Sequence, residues 1–271
     1  MSWKSGAKSF LLDLAYKGEV AFSRMQGIAF DRPPRNGEYA LIRQLRGHIR
    51  LAFDVGANAG DWTAEVLSQT GGKCEVACVE ADAKNAEFVR KRFATAGNVH
   101  IFNVAASDSE GTAFFQSGVG ELSGVGHLAS AAGSGTVEVV TTTLEKLAEK
   151  YPGRELDLVK VDIEGAEMSM LAGAKSLFAG KRIGVMQLEY NATWLAFGTQ
   201  MRDLFAFARE HGYEVLNETP FGFMRVPRYG IGLEDYRLRN LLLVRPDRVA
   251  SLDPFGPCGR AKVEAGRVDA L

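Results

Sequence analysis

The stretch Phe53-Asp-Val-Gly-Ala-Asn-Ala-Gly60 decides the fold, because an apolar strand end runs directly into a glycine turn. Residues 61–67 follow at helical period and predict a helix after the turn. Glycine lets the backbone of a strand–turn–helix unit approach a ligand that a Cβ atom would exclude. The unit therefore predicts a cradle for a nucleotide, with Gly56, Asn58 and Gly60 in the turn.

The carboxylate of Asp54 indicates which nucleotide this cradle binds. A dinucleotide site places a pyrophosphate at the helix N-terminus and uses G-x-G-x-x-G spacing, whereas the glycines here are Gly56 and Gly60. An acid before the turn would repel a pyrophosphate, but it suits a ligand that carries an amino group and a sulfonium. We therefore expect S-adenosylmethionine (SAM) as the cofactor.

A second acid supports this choice of cofactor. Residues 75–79 form a predicted buried strand, and Glu80 follows it, twenty residues after Gly60. A carboxylate at this place can accept hydrogen bonds from both ribose hydroxyls, and it disfavours a 2′-phosphate. The predicted cofactor site therefore contains Asp54, Gly56, Asn58, Gly60 and Glu80.

The loop after a third predicted strand, residues 99–106, supplies the candidates for binding the adenine. It should lie beside the first two loops at the carboxyl edge of a parallel sheet, where ligands bind. Ala106 offers an apolar contact to the base, and Asp108 offers a polar partner. Residues 107–111 also fit an ordinary surface turn, so both interpretations of Asp108 stay open.

Three further acids predict the chemistry of the site. Asp162 and Glu164 lie where a fourth predicted strand, residues 156–161, meets a glycine turn. Glu189 ends the apolar fifth strand, residues 183–188, which should place it beside the other two acids in a parallel sheet. Such a cluster could hold Mg²⁺ and orient vicinal hydroxyls, or one carboxylate could take the proton of a substrate hydroxyl. The sequence does not decide between a metal and a base.

A glycine-rich loop over residues 116–135 adds His127 as a further catalytic candidate. The loop is long and pliable enough to fold over a substrate. The alternative interpretation is a surface insertion that carries a solvent-exposed histidine.

The composition is typical of one soluble α/β domain with additions, since 46% of the 271 residues are hydrophobic and 24% are charged. The net charge of −1 creates no field that would attract nucleic acid. Three cysteines and four histidines fit neither a disulfide framework nor a zinc spacing, so we expect a cytoplasmic protein. No apolar run approaches the roughly 20 residues of a membrane span.

The pattern divides the chain into three regions. Residues 1–49 form a helical extension, residues 50–248 alternate strands and helices as a SAM-dependent domain, and residues 249–271 form a polar tail. The first helix is expected to pack on the domain. Homo-oligomerisation and peripheral contact with a membrane are alternatives, the latter because lysines such as Lys4 lie beside Trp3.

Three motifs carry a family resemblance. Asp54-Val-Gly-Ala-Asn-Ala-Gly60, Glu80 and Val159-Lys-Val-Asp-Ile-Glu-Gly-Ala-Glu167 resemble the FkbM-type methyltransferases, a branch of the class I SAM-dependent enzymes. The resemblance covers about residues 50–190. It implies an α/β, Rossmann-like class I methyltransferase fold, with a mostly parallel seven-stranded sheet, helices on both faces and an antiparallel last strand.

The resemblance also implies an activity. Enzymes of this type mostly methylate hydroxyl groups, often on sugars of polysaccharides, glycolipids or natural products, by in-line methyl transfer. By the resemblance, Gly56, Asn58 and Glu80 bind SAM, and Asp162 faces the transferred methyl. The expected acceptor is therefore a glycan or another small molecule with a hydroxyl group.

Two other functions stay open at this point. The domain could be a regulatory module that binds SAM or another nucleotide, but such a module has no need for three converging acids. An NAD-dependent sugar oxidoreductase is the second alternative. It is disfavoured by Asp54, by the glycine spacing and by the lack of a Tyr-x-x-x-Lys pair in the expected region.

Overall fold

The computed structural model describes residues 3–25, 28, 37–117, 126–129 and 133–254. The strands are β1 (Leu51–Val55), β2 (Glu75–Val79), β3 (Val99–Phe102), β4 (Ala105–Ala106), β5 (Gly111–Gln116), β6 (His127–Ala129), β7 (Thr136–Thr142), β8 (Leu156–Val161), β9 (Ile183–Tyr190), β10 (Glu214–Thr219), β11 (Gly222–Arg225) and β12 (Arg239–Val244). The α-helices are α1 (Trp3–Met25), α2 (Glu38–Leu45), α3 (Asp61–Thr70), α4 (Ala83–Arg92), α5 (Leu144–Ala148), α6 (Glu167–Ala172), α7 (Lys175–Ala179) and α8 (Met201–His211). Short 3₁₀ helices span Ala192–Phe197, Ile231–Leu233 and Pro246–Leu252.

The main sheet has eight strands in the order β11-β10-β12-β9-β8-β1-β2-β3. Strands β3, β2, β1, β8 and β9 run parallel to one another, and β12 is antiparallel to both β9 and β10. The predicted mostly parallel sheet with an antiparallel last strand is therefore confirmed. An eighth strand is present because the chain turns at residues 220–221 and β11 returns along β10.

The strand order creates a crevice at one point of the main sheet. The chain moves from β1 outward to β2 and β3, and it later continues on the other side of β1 with β8. Ligands of open α/β sheets bind outside the carboxyl ends of the strands at such a reversal. Asn58 after β1, Glu80 after β2 and Asp162 after β8 all lie at this edge.

A second, four-stranded sheet has the order β4-β7-β5-β6. The sequence predicts one strand over residues 99–106, but Asn103 interrupts it. The Asn103 side-chain amide donates hydrogen bonds to the carbonyl oxygens of Glu80 (2.9 Å) and Ala81 (3.1 Å). The chain therefore leaves the main sheet after β3 and enters the second sheet as β4. Within the predicted loop of residues 116–135, residues 127–129 form β6, while residues 118–125 and 130–132 lie outside the described part.

Apolar side chains cover both faces of the main sheet, as alternation along strands requires. On one face, Phe53 and Val159 are fully buried with residues of helices α5 to α8. On the opposite face, Leu158 and Leu242 are fully buried with residues of α2 and α3. The helices therefore lie on both faces, as predicted.

Residues beyond both ends of the predicted 50–248 domain contribute to the same core. Leu41 and Ile42 of α2 are fully buried. Val249 and Leu252, which follow β12, are 3% and 2% exposed. Residues 255–271 of the predicted tail lie outside the described residues. Among the described helices, none combines the length and apolar character needed to span a bilayer.

Replacing Leu41 with alanine should lower the free energy of unfolding by about 2–5 kcal/mol, because the deleted atoms are fully buried between α2 and the sheet. The control is Leu14→Ala on α1, where the side chain is 57% exposed and the change should stay within about 0.5 kcal/mol. Urea unfolding followed by circular dichroism measures both values. Equal effects of the two substitutions would contradict the burial of α2 against the sheet.

Candidate functional site

The main cleft lies at the carboxyl ends of β1, β2 and β8, and the second sheet forms its far wall. Three chemical regions follow one another along it: an apolar pocket with a polar corner near β2, the glycine turn after β1, and a set of acids after β8. Its lining includes Val55, Gly56, Asn58, Val79, Glu80, Asp82, Asn85, Val104, Ala105, Ala106, Phe115, Ser117, Leu128, Asp162, Ile163, Glu164 and Ala166.

Gly56 sets the distance between the turn after β1 and the end of β8. Its backbone has φ +83°, and a Cβ atom built on it would lie 1.8 Å from the carbonyl oxygen of Asp162. No other residue fits this position. Asn58 also has a positive φ, +46°, and lines the cleft two residues later.

Gly60 ends the glycine turn and has a role in helix packing. It precedes α3 with φ +77°, and a Cβ atom there would lie 2.8 Å from the Phe93 ring at the end of α4. The glycine therefore permits close packing of α3 and α4. The sequence predicts Gly60 in the cofactor site, but Gly60 is not among the described residues that line the cleft.

Asp54 is fully buried inside β1 and is not among the described residues that line the cleft. Since neighbouring strand residues point to opposite faces, Val55 faces the cleft and Asp54 faces α3. One of its carboxylate oxygens accepts a hydrogen bond from the Thr63 hydroxyl at 2.7 Å. Burial raises the pKa of the Asp54 carboxyl, and the nearby positive charge of Lys160 opposes this shift. The structure thus places Asp54 behind the turn, whereas the sequence predicts contact with the ligand.

Glu80 joins the loops after β1 and β2. Its side chain is 6% exposed, and its two oxygens accept hydrogen bonds from the backbone amides of Asn58 (2.7 Å) and Asp82 (2.8 Å). Burial raises the pKa of this carboxyl, although the two amide hydrogen bonds oppose the shift. Each carboxylate oxygen has a second lone pair, so Glu80 can still accept hydrogen bonds from hydroxyl groups in the cleft.

The pocket beyond Glu80 has apolar walls and one polar corner. Val79, Ala106, Phe115 and Leu128 supply apolar surface. At the corner, Asp82 accepts a hydrogen bond from the Ser117 hydroxyl at 2.6 Å and caps α4 by accepting from the amides of Lys84 and Asn85. A planar apolar group with a polar edge fits these surroundings.

Sequence reasoning missed most of this pocket. Phe115, Ser117 and Leu128 come from the second sheet, whose strand pairing no local pattern reveals. Asp82 carries a usable signal, because an aspartate just after a strand and just before a helical run is a typical N-cap. Asp108 lies elsewhere: it is exposed and accepts a hydrogen bond from the Ser109 hydroxyl at 2.9 Å, which fits the turn interpretation.

The acid cluster consists of Asp162, Glu164 and Glu189, which each offer a carboxylate oxygen within 4.8 Å of the others. The sequence-based expectation that these three acids converge agrees with this geometry. Asn191 holds two of them through its side-chain amide, which donates to Glu189 at 2.7 Å and to Glu164 at 3.4 Å. Glu164 has φ +55°, a left-handed conformation that is uncommon for residues other than glycine.

Electrostatics distinguish the members of the acid cluster. Lys160 donates a hydrogen bond to Asp162 at 2.9 Å, and its side chain is only 13% exposed. Burial and then the negative charges of Asp162 and Glu164 raise the pKa of Glu189 well above its ordinary value. Burial, followed by the charge of Asp162, also raises the pKa of Glu164. A shared cation or a shared proton would relieve this repulsion.

Glu167 supports the turn that presents the cluster. It begins α6, is 1% exposed and accepts a hydrogen bond from the Ile163 amide at 3.0 Å. Burial raises the pKa of its carboxyl to about 8. Glu167 thereby holds the backbone between Asp162 and α6.

His127 is not brought to the acids in the described structure. It is exposed on β6, where it pairs with Gln116 of β5, and it is absent from the described lining of the cleft. The next residue, Leu128, faces the cleft instead, because strand residues alternate between faces. The surface interpretation of His127 therefore agrees with the structure better than the catalytic one.

Several known proteins are similar to this chain. The 2-O-methyltransferase NoeI of Sinorhizobium fredii (strain NBRC 101917 / NGR234) is 27% identical over 147 residues, which are 49% of this chain and 60% of that protein. The chain thus aligns with less than two thirds of this relative's length. Methyltransferase FkbM from Methylobacillus flagellatus KT has a TM-score of 0.47 and 16% identity, covering 72% of this chain and 43% of that one. TrmK of M. capricolum, solved with S-adenosylhomocysteine, has a TM-score of 0.40 and 10% identity, covering 80% and 70%.

The family assignment follows from a longer match. Residues 54–215, more than half of the chain, match the model of the methyltransferase FkbM domain. This stretch includes the glycine turn, Glu80 and the whole acid cluster, so it contains the residues on which the sequence resemblance depends. The chain belongs to the FkbM family of methyltransferases.

Proposed function

We propose that this protein is a SAM-dependent O-methyltransferase that methylates a hydroxyl group of a sugar. One observation carries the proposal: Glu80 and two members of the acid cluster, Asp162 and Glu164, line the same cleft. A cofactor held at Glu80 would extend toward acids that can manage the proton of an acceptor. A module that only binds a nucleotide needs no such acids.

The cleft offers suitable groups for each part of SAM. The second lone pairs of the Glu80 oxygens suit the ribose hydroxyls. The apolar pocket around Phe115 and Leu128, with Asp82 at its corner, suits the adenine. The turn at Gly56 and Asn58 lets backbone groups approach the methionine portion. SAM supplies an electrophilic methyl group when it is bound.

The acids would act on the acceptor. An alcohol oxygen is a poor nucleophile at neutral pH, so in-line attack on a methyl group requires that its proton be accepted or its charge be offset. Glu164 lines the cleft, and its raised pKa suits its carboxylate to receive this proton, with Glu189 beside it in the acid cluster. Lys160 donates a hydrogen bond to Asp162 and thereby orients the Asp162 carboxylate at the end of β8.

The same three carboxylates fit a divalent cation. Mg²⁺ prefers oxygen ligands, and the acid cluster offers three from two adjacent strands. Asp162, Glu164 and Glu189 would hold the ion, which would polarise the acceptor hydroxyl and orient a neighbouring one. A sugar, with vicinal hydroxyls, is the acceptor class that suits such a site, and the name of the relative NoeI supports transfer to oxygen.

Glu80→Gln should weaken the binding of S-adenosylhomocysteine by about ten- to a hundredfold, because hydrogen bonds to a charged carboxylate are lost. Asp108→Asn is the matched control and should bind as the unaltered protein does, since Asp108 is exposed outside the cleft. Calorimetric titration measures both affinities, and circular dichroism confirms folding. Binding of NAD in place of SAM and S-adenosylhomocysteine would contradict the proposal.

Asp162→Asn should lower the methyl-transfer rate by about a hundredfold or more while leaving the affinity for SAM within a few fold, because the change removes acid–base or ligand chemistry at the acceptor. The assay measures S-adenosylhomocysteine release with a panel of mono- and oligosaccharides. The matched control is His127→Ala on the exposed side of β6, which should retain the full rate. Equal losses in both variants would refute the assignment of the acids.

Glu189→Gln should weaken the binding of Mg²⁺ alone by at least about tenfold, because one of three carboxylate ligands is lost. Titration of the full chain with MgCl₂, followed by calorimetry, measures this change. The control is Glu87→Gln on α4, far along the chain from the cluster and half exposed. If the unaltered protein does not bind Mg²⁺ at all, the metal interpretation fails and the base interpretation stands.

A further inference from the structure

Helix α1 turns an apolar side toward solvent. Four residues share this side of the 23-residue helix, because they are spaced by four, three and four positions: Leu14, Gly18, Ala21 and Met25. We call these four residues the apolar stripe. All of them are exposed, Leu14 by 57% and Met25 by 56%. A Cβ atom built on Gly18 would have no neighbouring atom within 4 Å, so the helix is open on this side.

The opposite side of α1 contacts the domain. Val20 is half-buried and Ser23 is 5% exposed, and both fall on the side of the helix away from the apolar stripe. The backbone amide of Ile28, itself 4% exposed, donates a hydrogen bond to the carbonyl oxygen of Ser23 at 3.0 Å. By contrast, every residue from Asp13 to Glu19 is exposed. The helix is thus anchored near its C-terminal end in an orientation that leaves the apolar stripe uncovered.

The charges of α1 indicate what kind of surface suits the apolar stripe. The helix carries two acidic residues and four basic ones, Lys4, Lys8, Lys17 and Arg24. Its net charge is therefore +2, in a chain whose total is −1. Two copies of α1 packed stripe to stripe would bring like charges together, which disfavours self-association. A negatively charged surface would attract the helix instead.

Lys17 shows how charge and apolar surface combine on this helix. It comes three residues after Leu14 and four before Ala21, so it borders the apolar stripe, and its side chain is 70% exposed. Its ammonium pairs with Asp13 at 2.8 Å, an exposed ion pair of low strength. A lysine at such a border lays its methylene groups along apolar surface and keeps its charge in a polar layer. An anionic membrane offers both parts of this contact, an apolar layer beneath negatively charged headgroups.

We propose that α1 docks the protein on the surface of a membrane that contains anionic phospholipids. The apolar stripe enters the boundary of the acyl region, and the basic residues lie among the headgroups. The helix lies in the plane of the membrane, in keeping with the finding that no described helix can span a bilayer. No residue of α1 is among the described residues that line the main cleft, so the inference does not depend on the methyl-transfer proposal. Failure of either proposal would leave the other unaffected.

Sedimentation of the full chain with vesicles of two parts phosphatidylcholine to one part phosphatidylglycerol tests this inference. The protein should sediment with these vesicles, and much less with vesicles of phosphatidylcholine alone or at high salt concentration, which screens the attraction. Leu14→Gln should weaken the binding by about tenfold, because the apolar stripe loses a large apolar side chain.

Tyr16→Gln is the matched control. Tyr16 is 66% exposed, two residues after Leu14 and on the other side of the helix, so the change should leave the affinity for the vesicles within about twofold. Both variants introduce the same neutral side chain at an exposed position of the same helix. Circular dichroism should therefore show both to be folded as the unaltered protein is.

Four results would overturn the inference. Absence of binding to the vesicles that contain phosphatidylglycerol would show that α1 is not a membrane-docking helix. Equal losses in Leu14→Gln and Tyr16→Gln would remove the apolar stripe from the contact. Equal binding to both kinds of vesicle would refute the attraction between the basic residues and anionic headgroups. In sedimentation velocity without vesicles, a dimer that Leu14→Gln converts to a monomer would assign the apolar stripe to a second copy of the chain.

Discussion

The close approach of two backbone segments is the constraint on which the site depends. Gly56, in the turn after β1, leaves no room for a side chain against the carbonyl oxygen of Asp162 at the end of β8. This contact places the turn and the first acid of the cluster in one cleft. Glu80 then fixes the other side of the turn by accepting a hydrogen bond from Asn58. The glycine thus determines how the cleft is assembled, as well as the conformation of a single turn.

The second feature of the site is the number of carboxylates that the fold places together. Burial raises the pKa values of Glu80, Glu164 and Glu189, and the acid cluster adds mutual repulsion. The nearby ammonium of Lys160 opposes this rise at Glu189, and it likewise opposes the rise in the pKa of Asp54 that burial causes. Three acids with one buried lysine do little for stability, because unpaired buried charges are unfavourable. Their convergence is therefore best understood through the chemistry that they can perform.

Local sequence patterns predict the central part of this structure and fail where long-range pairing decides. The glycine turn, Glu80 and the acid cluster lie at strand ends, and a parallel sheet brings strand ends together. Side chains alternate between the two faces of the sheet along Phe53, Asp54 and Val55, so Val55 faces the cleft and Asp54 does not. The apolar pattern of the strand alone does not show which of these side chains faces the cleft. Asn103 diverts the chain into a second sheet, which no local signal predicts. That sheet supplies one wall of the cleft and leaves His127 exposed.

The proposed function requires that one cleft hold the cofactor at Glu80 and present its reactive end to the acid cluster. A crystal structure of the protein with S-adenosylhomocysteine tests this most directly. We expect the ribose hydroxyls at Glu80, the adenine between Phe115 and Leu128, and the sulfur facing Asp162. A ligand bound elsewhere, or one bound with its sulfur turned away from the acid cluster, would contradict the account.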